Sequence, residues 1–231
     1  MHSKAKVGAL LSVLLMGLGQ IYHRQFIKGI LFIALEIYLL LFWSLPFRYA
    51  MWGLTTLGET PQTQKGFQII QGDHSIFLMI EGIIYLILFL LFVWVYYLNV
   101  RDAYKVGKQR DKGISPSSFK KTLANVWENG FPYILLTPSI LFTAFLTILP
   151  LLFGILIAFT NYSGPNHLPP KALVDWVGFN TFIDLFNLKT WSNTFYGVFS
   201  WTVLWAILST ATTFFLGLIF TVFINHKGIS L

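Results

Sequence analysis

The sequence predicts an all-α polytopic membrane fold: four spanning helices, a short N-terminal hydrophobic helix and an interfacial elbow helix on the cytoplasmic side. Three observations predict it. Of 231 residues, 55% are hydrophobic and only 11% charged, with mean hydropathy +0.67, where a soluble domain carries about 25% charge. The apolar residues gather into stretches long enough to cross a bilayer, ~17–25 residues each. The lysines and arginines sort by loop. So little charge cannot cover a water-soluble globule of this size. A disordered or nucleic-acid-binding chain is excluded on the same ground, despite a net charge of +7. The absence of cysteine excludes a disulfide framework, a thiolate metal site and a cysteine nucleophile.

The first hydrophobic stretch, Val7–Leu18, is too short to span at roughly 1.5 Å per residue. A signal-peptide core is disfavoured by His23, Arg24 and Lys28 directly after it, since basic residues there oppose export. An interfacial or re-entrant helix leading into the first span is the preferred reading. A span paired with the next helix as a tight hairpin stays open beside it. The spans follow as Gly29–Leu45, Ser75–Val100, Phe131–Thr160 and Gly197–Asn225. The last two contain no charge; the first two contain Glu36 and Glu81. Intramembrane acids are costly, and are either functional or satisfied by a neighbouring helix. Pro138 and Pro150 lie inside the third span and are expected to kink it. The last span is rich in aromatic rings; these can stack on sugar C–H groups, and lipid-facing packing, the preferred reading, explains them equally well.

Between the spans, the basic residues set an orientation. Lys4, Lys6, Arg24 and Lys28 precede the first span. Arg101, Lys105, Lys108, Arg110, Lys112, Lys120 and Lys121 lie between the second and third, and Lys227 follows the fourth. Only Arg48, Lys65, Lys171 and Lys189 fall on the other side. The positive-inside rule places both termini in the cytoplasm and accounts for the basic pI. The 101–121 run reads as a solvated face near anionic membrane lipid. Ser115-Pro116-Ser117-Ser118 signals a helix start, and Phe119, Leu123, Val126 and Trp127 recur at helical spacing. Ser117–Trp127 is thus expected to be an elbow helix on the membrane surface, ended by Asn129-Gly130 before Pro132 opens the next span. The outer loop 46–74 is read as polar and short on structure. The loop 161–196 opens with turn residues and holds an amphipathic stretch, Thr181–Leu188.

No catalytic constellation is visible. The histidines lie outside the spans and do not pair, and neither a zinc H-E-x-x-H, a G-x-S-x-G elbow nor a phosphate-binding G-x-x-x-x-G-K-[ST] loop is present. No catalytic, cofactor-binding or metal-ligating residue is therefore assigned, and no cofactor is expected. Energy for any transport would come from a partner or an ion gradient.

The second half resembles the sugar ABC-importer permeases. Phe131-Pro132-Tyr133 and Leu136-Thr137-Pro138 are similar to the opening of the family's first core helix, with Ile148-Leu149-Pro150 at its mid-helix tyrosine-proline. Ala158–Tyr162 resembles its helix-end phenylalanine-threonine-asparagine-tyrosine. Val177–Phe182 with Leu185-Phe186 resembles its valine-glycine-leucine run, and Asn193-Thr194 through Leu216-Gly217-Leu218 to Asn225 its second core helix. Gly17–Tyr22 followed by Lys28-Gly29 resembles the opening of the larger, maltose/maltodextrin-type permease subunit. Phe179, Leu149 and Thr213 depart from the family pattern.

The resemblance implies a division into 1–130, an N-terminal membrane extension with two spans and a basic loop, and 131–231, the first two core helices. It implies an N-terminal fragment of a permease, with the cytoplasmic loop that docks the ATPase falling beyond Leu231. The implied partners are a second permease subunit, cytoplasmic ATPase subunits, an extracytoplasmic sugar-binding protein and an oligosaccharide substrate, with no nucleic acid. Asp175, Phe179 and Asp184 in the outer loop are the expected contacts for the binding protein; the bland reading is that Trp176, Phe179 and Phe182 anchor the loop to the membrane interface. The rival from another class is a four-helix membrane scaffold or assembly protein without a transport role. An intramembrane enzyme is disfavoured by the missing catalytic clusters.

Overall fold

The computed structural model describes residues 3–187 and 189–225. Lys227 and the C-terminus, assigned above to the cytoplasmic side, lie outside the described residues. The chain forms two compact units, one up to Trp176 and one from Val177.

In the first unit, helix α1 (Lys4–Leu14) is an 11-residue helix. At about 1.5 Å per residue it does not cross a bilayer. It breaks where Leu15 turns extended and Gly17 takes a left-handed φ of 88°. A side chain at Gly17 would strike the backbone of Gly29, so glycine is required there for packing as well as for conformation. The short α2 (Leu18–Tyr22) leads into α3 (Phe26–Phe42). Helix α4 (Ser44–Thr56) follows at once, bent from α3 by 54°. Pro46, in the first turn of α4, has no amide to donate to the Phe42 carbonyl, and its ring crowds that carbonyl; this is the physical reason for the bend. The expectation of an unstructured 46–74 loop is thereby corrected: its first eleven residues are helical, and Thr63–Lys65 (β1) pairs antiparallel with Gln68–Ile70 (β2) in a small hairpin.

Helix α5 (Ser75–Asp111) runs 37 residues, or roughly 55 Å, against ~30 Å of hydrocarbon. The basic residues from Arg101 to Arg110 are therefore helical, an extension of the span and not a loop. Lys108 and Arg110 in its last turn suit the negative end of the helix dipole. Two buried stripes mark this helix as the spine of the unit. Ser75, Leu78, Met79, Gly82 and Ile83 face α4, and Asn99, Ala103, Val106 and Gly107 face α1. Each stripe repeats at three or four residues, one helical face.

Helix α6 (Phe119–Thr143) starts where the sequence says, with Ser118 accepting a hydrogen bond from the Lys121 amide at 3.4 Å. It does not end at Asn129-Gly130. The elbow and the span are one helix, because a single glycine costs only about 1 kcal/mol in a helix interior and the residues on both sides continue it. Asn129 also donates to Asn125 Oδ1 one turn back, at 2.7 Å. A five-residue π-helical turn, Ala144–Ile148, precedes α7 (Leu149–Ile157), in which Pro150 is the second residue. Pro150 cannot bond the Leu146 carbonyl, and the wider π turn makes room for its ring. Pro138 sits inside α6 without ending it.

The second unit consists of α8 (Asn180–Asn187) and α9 (Lys189–Asn225). Among the described residues, three helices are long and apolar enough to cross a membrane: Ser75–Asp111, Phe119–Ile157 and Ser192–Asn225. The bent α3–α4 pair makes a fourth when it is counted as one span. The all-α polytopic fold holds, with the hairpin as its only sheet among the described residues.

Candidate functional site

Two polar constellations are built by the first unit, one at each end of α5. The first lies at the N-terminal end, where α4, the hairpin segment and the 160–176 segment meet. Leu57, Met79, Ile83 and Val174 form a buried cluster, with Leu54, Ile87 and Leu156 among the half-buried residues against it. Backbone groups are tied to it from both sides. The Val174 amide donates to Ser75 Oγ at 3.0 Å, Trp176 Nε1 to the Leu54 carbonyl at 3.2 Å, and the Gln62 amide to the Pro170 carbonyl at 2.8 Å. Asp73 accepts from the amides of Glu59 and Thr60, both at 2.9 Å, and from Thr60 Oγ1 at 2.8 Å. These bonds hold its carboxyl below the usual carboxylate range. These segments are thus a folded platform, fixed to the start of α5.

Asp175 belongs to this platform. Its backbone brackets Asn161, donating to Asn161 Oδ1 at 2.8 Å and accepting from the Asn161 amide at 3.1 Å, which leaves its carboxylate exposed. Phe179 and Asp184 belong to the second unit. Phe179 is 69% exposed just before α8 and touches Phe182, with ring centroids 6.0 Å apart. Asp184 is exposed on α8. Asp175 thus presents a carboxylate on the first unit, and Phe179 and Asp184 a ring and a carboxylate on the second.

The second constellation lies at the C-terminal end of α5. Gln20, buried on α2, donates to the Asn99 carbonyl and to Asp102 Oδ2, both at 3.1 Å, and accepts from Ser12. Lys28 closes an ion pair on the same Asp102 oxygen at 2.7 Å. Asp111 caps the start of α1, accepting from Ser3 Oγ at 2.6 Å and from the Lys4 amide at 3.0 Å. Glu36, the acid midway along α3, accepts the Met16 amide at 2.6 Å. It satisfies the backbone at the break between α1 and α2, the hydrogen-bonded role considered above for such a group. His23 is wholly buried against Gly8 and Gly107. Burial holds its pKa below the ordinary value, and the Arg110 charge adds to this, while Ala103, Asp111 and Asp102 act the other way.

Sequence reasoning missed Asp73, Ser75, Asp102 and Asp111. One signal was available for Asp102: it is the lone acid between Arg101 and Arg110. No sequence signal pairs Ser75 with Val174, ninety-nine positions apart. Among the described residues no group of three histidines or acids is placed to hold a metal ion.

The chain is 38% identical over 222 residues to the galactooligosaccharides transport system permease protein GanP of Bacillus subtilis, covering 96% of this chain and 50% of the relative. It is 36% identical over 220 residues to the maltodextrin transport system permease protein MalC of Streptococcus pneumoniae, covering 95% of this chain and 48% of the relative. It is 36% identical over 228 residues to the maltodextrin transport system permease protein MdxF of Bacillus subtilis, covering 98% and 49%. The chain spans about half the length of these curated relatives. No protein-family model and no solved structure matches it.

Proposed function

We propose that this chain, which is similar over about half their length to maltodextrin and galactooligosaccharide permeases, is the N-terminal half of a membrane subunit of an ATP-driven oligosaccharide importer. The observation that carries this reading is the similarity of nearly the whole chain to proteins whose names are those of sugar permeases. The scaffold reading is not favoured, since it leaves that similarity unexplained. Residues 1–130 would be the extension and 131–231 the first two core helices. The subunit would hydrolyse no ATP itself. Cytoplasmic ATPase subunits would drive alternating access between it and a second permease subunit. An extracytoplasmic binding protein would deliver the oligosaccharide, and both termini of this chain would lie in the cytoplasm.

The platform supports a docking role at the outer face. Asp175 is held by its backbone with the carboxylate outward, and Phe179 and Asp184 are exposed. The test uses the full-length permease assembled with its ATPase in nanodiscs. Asp175→Lys and Asp184→Lys are expected to reduce binding-protein-stimulated ATP hydrolysis several-fold while assembly and basal hydrolysis stay unchanged. Wild-type stimulation in both variants would move the docking surface elsewhere.

A further inference from the structure

We propose that the cavity between the start of α3, the end of α5 and the start of α6 binds the headgroup of an anionic glycerophospholipid with free hydroxyls, phosphatidylglycerol, and that the groove beside it takes an acyl chain. The cavity has a volume of about 610 Å³ and is lined by Lys28, Lys105, Lys121, Gln25, Asp102 and Glu128 among others. Its charges do not cancel. Asp102 is already engaged by Lys28 at 2.7 Å and by Gln20 at 3.1 Å. Lys105 and Lys121 are exposed, and Glu128 is the only other carboxylate lining the cavity. An anion is therefore drawn to the space between the two lysines.

Gln25 adds a more selective feature. Its Nε2 donates to the Ser117 carbonyl at 3.3 Å, which fixes the amide between α3 and the 112–118 segment. Its Oε1 is buried and accepts no hydrogen bond. A buried acceptor without a donor is costly, and a hydroxyl of a glycerol headgroup supplies one. A choline headgroup has no N–H or O–H donor and offsets its own phosphate charge.

The neighbouring groove, about 170 Å³, shares Gln25, Lys28, Ser117 and Thr122 with the cavity and adds Phe26, Ile27 and Phe119. Phe26 and Ile27 are 56% and 57% exposed. Polar cavity and apolar groove are continuous, the arrangement of a headgroup and a chain. They also lie at the level where the apolar run of α5 gives way to Arg101, the edge of the bilayer. Basic pockets between spanning helices at this depth bind acidic headgroups. The inference requires that the chain is embedded in a bilayer and requires nothing about sugar, ATPase or binding protein.

The test is native mass spectrometry of the full-length protein, with any subunits that copurify, offered equal amounts of phosphatidylglycerol and phosphatidylcholine. Phosphatidylglycerol is expected to be retained preferentially. Lys105→Ala with Lys121→Ala is expected to lower that retention about tenfold. Arg101→Ala with Lys108→Ala removes the same charge outside the cavity lining and is expected to leave it within twofold. In a second pairing, with phosphatidic acid in place of phosphatidylcholine, the wild type is expected to retain more phosphatidylglycerol, since phosphatidic acid lacks the glycerol hydroxyls, and Gln25→Leu to show no preference; a preference unchanged in Gln25→Leu overturns the role given to Gln25. Equal retention of phosphatidylglycerol and phosphatidylcholine overturns the proposal, as does an equal loss in the 101/108 control. Stabilisation by deacylated glycerophosphoglycerol as large as that by the lipid would overturn the assignment of the groove. Circular dichroism and monodispersity of each variant separate loss of the site from loss of the fold.

Discussion

Glu36 shows how one acid in a span is made tolerable. It faces the amide of Met16, at 2.6 Å, at the break between α1 and α2, so the carboxylate and the orphaned N–H meet each other's need. Glu36→Leu leaves that amide unsatisfied and is expected to cost about 1–3 kcal/mol locally. Glu36→Gln keeps an acceptor and is expected to cost less. Hydrogen exchange of the Met16 amide in nanodiscs distinguishes them: fast exchange in the leucine variant and near-native protection in the glutamine variant. His23 gives a pH dependence with a definite sign. Burial, then Arg110, lower its pKa from 6.5, while Asp111 and Asp102 oppose this. The folded protein takes up this proton less readily than the unfolded chain, so the stability tied to neutral His23 is complete above pH 6.5 and is lost as pH falls from there through the lowered value. Exchange protection of α1 is expected to fall on acidification over that window, and to become flat with pH in His23→Leu.

At the scale of elements, the packing of α1 on α5 depends on the absence of side chains. A Cβ at Gly107 would lie 2.7 Å from the Ala5 amide nitrogen and 2.9 Å from His23 Nε2. Gly107→Val is therefore expected to push α1 off α5, at a cost of about 1–3 kcal/mol. A spin-label pair across α1 and α5 reads this as a lengthened distance. Much of the element pattern was legible in the sequence. The long apolar runs mark α5, α6 and α9, and the serine before Phe119 marks the start of α6, where its cap forms. The rest depends on information that local pattern lacks. Asn129-Gly130 is a stop signal by residue type, yet the helix runs through it because the neighbouring turns outweigh one glycine. The 44–56 stretch, with Arg48 and Pro46 in it, carries no clean periodicity. It is a helix because Ala50 and Gly53 pack against α5. The candidate contacts were legible as a polar loop, but the platform beneath Asp175 was not, since Ser75–Val174 and Trp176–Leu54 are settled by tertiary geometry.

For the molecule as a whole, the 12-to-4 division of its 16 basic residues implies that the 112–118 segment and the 161–167 segment face opposite sides of the membrane. Both Ser117 and Ser163 are exposed, with α6 and α7 between them. Ser117→Cys is expected to react with an impermeant maleimide only after the membrane is opened, and Ser163→Cys in intact cells. Labelling of both in intact cells would contradict the orientation. A chain that is half of an oligosaccharide permease is needed for sugar uptake by the cell. Cells carrying the full-length gene, and cells with only that gene removed and then restored, would be given radiolabelled maltodextrin and galactooligosaccharide. Uptake of at least one sugar is expected to be lost on removal, to return on restoration and to require the partner ATPase. Uptake of both sugars unchanged by removal, with the protein present in the parent membrane, would contradict that function.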